Sequence, residues 1–82
     1  MNIAKVVRAW RESAEKDWSL AKDLFKQKHY GYCLFFCHLV LEKVLKALVV
    51  KHTKEPAPLI HDLRRLAEMA GLSFTEEQGE RA

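Results

Sequence analysis

The residues with the greatest potential for chemistry form a regular series near the middle of the chain. Glu42 follows His38 by four positions and precedes Lys46 by four, so a helix would place the three side chains on one face. A histidine and a carboxylate are two of the ligands that a zinc site needs, but nothing nearby completes the set. We therefore predict no metal site. Glu42 and Lys46 are in the favourable order for a helix ion pair, and His38 with Glu42 is either a hydrogen-bonded pair or an unrelated one.

A second polar pair, His61 and Asp62, stands near the start of a predicted helix. Backbone amides at a helix start attract anions, which makes an anion contact possible there. Residues in this position more often cap the helix by accepting hydrogen bonds from its first amides. Capping is the expected role of the pair, with anion binding as the alternative.

Nucleophilic catalysis has no support in the residue pattern. There is no glycine-rich phosphate loop, and none of the serines lies in a nucleophile motif. Cys33 and Cys37 lie in the most apolar run and lack the two further ligands of a zinc site. They are predicted to be buried thiols that act as small hydrophobic side chains, which fits a reducing cytoplasm. The sequence thus predicts no catalytic residue and no cofactor.

The chain has 82 residues, of which 49% are hydrophobic, and a formal net charge of +3. Its basic residues are interleaved with acidic ones, as in Glu15-Lys16-Asp17, which is typical of a solvated helix face. Phosphate-binding surfaces more often cluster their cations, so charge alone does not predict nucleic-acid binding. The apolar run from Tyr30 to Val50 contains charged residues, so no membrane span is predicted.

Three helices are predicted from the spacing of apolar residues. Helix one covers residues 3 to about 27, where apolar residues recur every three or four positions and form one stripe: Ile3, Val7, Trp10, Ala14, Trp18, Ala21 and Phe25. Helix two covers about 32 to 52, after a short turn in which Gly31 absorbs unusual backbone angles. A short turn makes these helices antiparallel neighbours. Helix three covers roughly 59 to 70, between the proline loop at 54–58 and Gly71.

Two features predict that these helices need further cover. The first half of helix two, from Tyr32 to Leu41, is apolar on nearly every side, so additional helices or a second subunit must bury it. Thr75 and Gln78 form a capping-box pattern that predicts the start of a fourth helix. We therefore treat residues 1–82 as a single domain that is incomplete at its C-terminal end.

The succession of these segments resembles the HEPN domain, the helical domain of prokaryotic defence and toxin–antitoxin systems. The resemblance covers about residues 4 to 72 and rests on the combination of four pieces: Ala14-Glu15-Lys16-Asp17-Trp18, His29-Tyr30, the stretch from Cys37 to Leu48 and His61-Asp62-Leu63-Arg64-Arg65-Leu66. It implies an all-α fold, in which an antiparallel helical hairpin and a short third helix are part of an up-down bundle of four or five helices, usually as a homodimer.

The resemblance also implies a function. Many HEPN domains are metal-independent ribonucleases with an arginine, four to six residues, and then a histidine, and this spacing is absent from the 82 residues. We therefore expect a non-catalytic nucleotide- or RNA-binding or partner-binding module of a toxin–antitoxin pair. Lys43, Lys46 and His61 are the expected nucleotide or RNA contacts, and a minimal nucleotidyltransferase is the expected protein partner. The alternatives are a ribonuclease whose site lies beyond Ala82 and a purely structural dimerising scaffold.

Overall fold

A computed structural model describes residues 1–72 of the chain. It contains three helices, α1 (Ile3–Lys26), α2 (Tyr30–Thr53) and α3 (Leu63–Met69), and no strand occurs within the described range. Helices α1 and α2 pack along each other as a hairpin, and α3 packs on α2. The predicted all-α fold, with an antiparallel hairpin and a short third helix, is therefore confirmed.

Helix α1 begins where Asn2 caps it, because the Asn2 side chain accepts a hydrogen bond from the backbone N–H of Lys5. Its most buried residues are Ala14 and Ala21, which lie on the predicted apolar stripe. Small side chains at these positions allow the backbones of two helices to approach closely. The stripe is less well covered toward the turn, where Trp18 and Phe25 keep half or more of their surfaces exposed.

The turn between the long helices differs from the prediction in which residue adopts the unusual backbone angle. Lys28, not Gly31, has the left-handed conformation, with a φ of 65°. The His29 N–H then donates to the Leu24 carbonyl, which closes the C-terminal end of α1. Gly31 lies inside α2, which begins two residues earlier than predicted. The prediction was wrong because a single left-handed residue at the end of α1 completes the turn, and lysine tolerates that conformation at modest cost.

Among the described residues, the second half of helix α2 contributes more buried apolar side chains than either of the other two helices. Val49 and Val50 are fully or almost fully buried, together with Ala47. The helix ends at Thr53, and Lys54 follows in the left-handed conformation before the proline loop. In the described part of the chain, only α1 covers its first half, and several large apolar side chains there face outward. None of the described helices combines the length and apolar character that a membrane crossing needs.

Helix α3 is shorter than predicted, because residues 59 to 62 precede the helix instead of forming its first turn. Asp62 caps it by accepting hydrogen bonds from the amides of Arg64 and Arg65, which confirms the predicted capping role. Leu66 is completely buried and anchors the helix on α2. Gly71 ends it with a φ of 83°, as predicted. The predicted fourth-helix start at residues 75–78 lies outside the described residues.

Candidate functional site

A buried carboxylate, Glu42, is the centre of the polar contacts between α2 and the segment before α3. Glu42 is only 5% exposed, and each of its two carboxylate oxygens meets a different partner. The Lys46 ammonium donates to Oε2 at 3.2 Å, and His61 Nδ1 lies 2.9 Å from Oε1. We call Glu42, Lys46 and His61 the Glu42 cluster. It joins residues that are close on one helix to a residue nineteen positions away in the chain.

The charges of the Glu42 cluster are satisfied within the cluster. Burial by itself raises the pKa of Glu42, but the hydrogen bonds from His61 and Lys46 outweigh it and hold that pKa below its ordinary value. Lys46 is also buried, with its ammonium 5.4 Å from the centre of the Trp10 ring. Glu42 is therefore ionised at neutral pH. The Lys46 ammonium already contacts this carboxylate and the face of the Trp10 ring.

The cluster orients the His61 ring. A carboxylate only accepts hydrogen bonds, so Nδ1 of His61 must carry the proton in the contact with Glu42. The other ring nitrogen, Nε2, is then an acceptor in the neutral ring and a second donor in the protonated ring. The side chain is 77% exposed, so Nε2 is accessible to a ligand in solvent. This is the same device by which proteins fix the tautomer of metal-binding and catalytic histidines.

His38 lies beside the cluster without joining it by a hydrogen bond. Its Nε2 is 3.8 Å from Glu42 Oε1, which is beyond hydrogen-bonding distance. The pair therefore interacts only through charge, when His38 is protonated. In the described part of the chain, no group of three or more His, Cys, Asp and Glu side chains is arranged to hold a metal ion.

Lys43 points to the other side of α2 and ties it to α1. Its ammonium donates to Ser13 Oγ at 2.7 Å and forms an ion pair with Asp17. Only 22% of the Lys43 side chain is exposed. Ser13 and Asp17 were not predicted from the sequence, although both lie next to the apolar stripe of α1, where a polar side chain must find a partner on the facing helix.

The three predicted contact residues thus have different environments. Lys46 and His61 meet at Glu42, whereas Lys43 belongs to a separate contact with α1. Lys43 and Lys46 are each paired with a carboxylate. His61 is the member of the set whose side chain is mostly exposed. Any ligand that approaches these residues therefore meets the His61 ring first.

A second feature is a group of exposed aromatic side chains near the turn of the hairpin. One open cleft of about 820 Å³ is lined by Tyr30, Tyr32 and Phe35, which are all more than half exposed. A neighbouring cleft of about 330 Å³ is lined by Trp18 and Phe25. The ring centroids of Phe25 and Tyr30 lie 5.6 Å apart in an edge-to-face arrangement. A side chain of the smaller cleft therefore contacts a side chain of the larger one. We call the surface formed by these residues the aromatic face: Trp18, Phe25, Tyr30, Tyr32 and Phe35.

The two cysteines lie at the edge of the aromatic face. Cys33 and Cys37 are half-buried and line the smaller cleft, so the prediction of fully buried thiols was wrong. The difference arises because the described residues leave the first half of α2 covered by α1 alone. Desolvation and the neighbouring Cys37 raise the pKa of the Cys33 thiol above its ordinary value, which disfavours the reactive thiolate form.

The chain matches the model of one protein family over most of its length. The family model of the HEPN domain matches residues 7–81. The chain belongs to the HEPN domain family. No curated protein and no solved structure gives a significant match to the chain. The HEPN resemblance deduced from the sequence is thereby confirmed, together with its all-α helical fold.

Residues that carry the HEPN resemblance meet in the Glu42 cluster. The stretch from Cys37 to Leu48 contributes Glu42 and Lys46, and the His61-Asp62 pair contributes the exposed ring and the cap of α3. In this HEPN chain, these residues fix the connection between α2 and α3 at the side of the hairpin. The spacing of arginine and histidine that marks the family's ribonucleases does not occur in the 82 residues.

Proposed function

We propose that this chain is a cytoplasmic HEPN module of a prokaryotic toxin–antitoxin pair that acts by association, and that its first partner is a second copy of itself. The observation that carries the proposal is the aromatic face, where most of the aromatic side chains of the chain lie exposed and where the rings of Phe25 and Tyr30 contact each other. Aromatic residues are enriched in the centres of protein interfaces. Large contiguous apolar patches on a soluble domain mark such interfaces.

A second copy fits this face for a physical reason. The larger cleft of this face is lined by no Asp, Glu, Lys or Arg among the described residues, and its smaller cleft has Lys22 and Lys26 beside apolar side chains, so a partner that covers the face must be largely apolar. In a two-fold dimer, the same patch on each subunit packs against the other. The aromatic face then supplies its own apolar partner, and it buries the first half of α2, which α1 leaves uncovered.

We expect that one charged residue, introduced into the aromatic face, will dissociate the dimer. Phe35 is 56% exposed, so replacing it with glutamate (F35E) leaves the core of the subunit intact but places a charge in the dimer interface. We expect wild-type protein to sediment as a dimer and F35E as a monomer with unchanged helical circular dichroism. The matched control is L59E, because Leu59 is 96% exposed on the connection before α3. A monomeric wild-type protein, or F35E that remains dimeric, would contradict the proposal.

We propose further that nucleotide or RNA binds this module without being cut, and that of the three predicted residues, Lys43, Lys46 and His61, it is His61 that contacts the ligand directly. What supports this is the accessible Nε2 of an oriented His61 ring, which can accept a hydrogen bond from a ribose hydroxyl or, when protonated, donate one to a phosphate. Lys43 and Lys46 act behind it, by keeping the neighbouring carboxylates neutralised. A minimal nucleotidyltransferase is the second protein partner we propose, on the basis of HEPN membership.

Replacing His61 with glutamine (H61Q) tests this contact. Loss of one hydrogen bond is worth about 1 kcal/mol, so the affinity for RNA or nucleotide should fall roughly fivefold in an anisotropy titration. The matched control is H29Q, since His29 is exposed near the turn at the far end of α2. An unchanged affinity of H61Q argues against the contact. Cleavage of the RNA by the wild-type chain argues against a non-catalytic module.

A further inference from the structure

The opposite end of the hairpin holds a basic cleft that the sequence did not signal. It lies where α1 begins and α2 ends and has a volume of about 480 Å³. Its floor is apolar, formed by Ile3, Ala4 and Val7. Four cationic side chains line it, two from α1 and two from the end of α2 and its cap: Arg8, Arg11, Lys51 and Lys54.

These four side chains differ from Lys43, Lys46 and Arg64 in having no acidic partner among the described residues. Lys43 and Lys46 are each bound to a carboxylate, and Arg64 lies near Glu68. Within residues 1–72, none of the four cleft cations takes part in an ion pair. The cleft therefore concentrates positive charge that the described residues leave unneutralised.

The distribution of charge along α1 is also unfavourable for the helix itself. The positive end of a helix dipole is stabilised by acidic side chains in the first turn, and α1 has none there. The first acidic residue of the chain is Glu12, which comes after Lys5, Arg8 and Arg11. The start of α1 therefore gathers positive charge at its already positive end. A bound anion would relieve this repulsion together with that between the two sides of the cleft.

We propose that this cleft binds the phosphate groups of RNA or of a nucleotide. Arginine guanidinium groups match phosphate oxygens with paired hydrogen bonds, and lysines add point charges. Among the described residues, no aromatic side chain lines the cleft, so the contact is made with phosphates irrespective of base sequence. The site lies apart from the Lys43, Lys46 and His61 contact and does not depend on it.

The test compares two variants that remove the same charge from different surfaces. The cleft variant is R8Q/R11Q/K51Q/K54Q, and the control variant is K16Q/K28Q/R64Q/R65Q. All eight side chains belong to exposed residues, so both variants should fold, which circular dichroism checks. Binding of a fluorescent single-stranded RNA of about twelve nucleotides is measured by anisotropy at several salt concentrations.

We expect the cleft variant to bind the RNA at least about tenfold more weakly, and the salt dependence of log K to become shallower by roughly 0.7 for each phosphate that the variant no longer neutralises. The control variant should retain most of the affinity. Competition with ATP and with inorganic tripolyphosphate separates the sources. Competition at concentrations near those of the RNA phosphates indicates a nucleotide, and its absence indicates an extended strand, both of which support phosphate recognition.

Equal decreases in affinity in the two variants would overturn the proposal, because they would show a general effect of net charge. Unchanged affinity of the cleft variant would overturn it as well. The H61Q variant in the same titration keeps the two sites distinguishable. If only H61Q weakens binding, the cleft proposal fails and the His61 contact stands. If only the cleft variant does so, the reverse holds.

Discussion

Replacing Glu42 with alanine (E42A) should lower the free energy of unfolding by about 3–5 kcal/mol, the cost of leaving a buried charge without its partner. Lys46 is 5% exposed and would keep only the Trp10 ring as a neighbour of its ammonium group. His61 would lose its orientation but not its solvation, because its side chain is mostly exposed. A domain of this size has little stability to spare, so E42A should unfold well below the denaturant midpoint of the wild-type protein.

The double variant E42L/K46M distinguishes the loss of the ion pair from simple damage to packing. Removing both charges and keeping apolar volume at both positions should recover most of the stability that E42A loses, as for other buried pairs. The comparison is made by urea denaturation of the wild-type protein, E42A, E42L, K46M and E42L/K46M. The wild type and the last three variants form a double-mutant cycle. If E42A is as stable as the wild type, Glu42 has no such structural role. If E42L/K46M is no more stable than E42A, packing at Glu42 explains the loss.

The pH dependence of stability is an independent readout of the same carboxylate. Because the pKa of Glu42 in the folded chain is lowered from its ordinary value of 4.5, unfolding makes the group bind protons more readily. Its contribution is therefore complete above pH 4.5 and is lost as the pH falls through the lower, folded-state pKa. The Glu42→Gln variant should show a smaller loss of stability over this acidic range than the wild type does.

Replacing Leu66 with alanine (L66A) is the second change with a large expected effect. Leu66 is completely buried and is the principal anchor of the seven-residue helix α3 on α2. Leucine-to-alanine changes in a core cost about 2–5 kcal/mol, through reduced burial and the cavity that remains. The cost should fall in the upper part of this range only if α3 stays docked and the cavity cannot collapse.

The measurement for L66A is again urea denaturation, with the slope of the unfolding transition as a second observable. Undocking of α3 exposes surface in the native state and should reduce that slope, whereas a cavity alone leaves it unchanged. L59A is the matched control, because Leu59 is 96% exposed and should contribute less than about 0.5 kcal/mol. A wild-type midpoint for L66A would mean that α3 does not stabilise the hairpin.

Much of the fold could be predicted from local patterns along the chain. The apolar stripe of α1 identified Ala14 and Ala21 as buried, and the two prolines and Gly71 bounded the last helix. The turn was harder to predict, because the left-handed residue is Lys28 and nothing in its side chain announces that conformation. Helix α3 begins at Leu63 and not at Leu59, because Asp62 caps the helix at that point.

The candidate sites were predictable only in part. The spacing of Glu42 and Lys46 on one helix predicted their ion pair, since helix geometry brings positions four apart together. The same rule could not predict that His61 meets the same carboxylate, because that contact depends on how the proline loop returns to α2. Lys43 and Asp17 likewise face each other only when the register of the hairpin is known.

By itself, the sequence determined the helical class, the HEPN membership and the apolar excess on α2, because periodicity, motif spacing and composition are local properties. Tertiary structure decided which charges are neutralised. Along the chain, the cations alternate with acids, which suggested an ordinary solvated face. In the folded hairpin, the start of α1 and the end of α2 meet, and Arg8, Arg11, Lys51 and Lys54 line one cleft. Antiparallel packing brings together residues some forty positions apart, and no local pattern in the sequence predicts that contact.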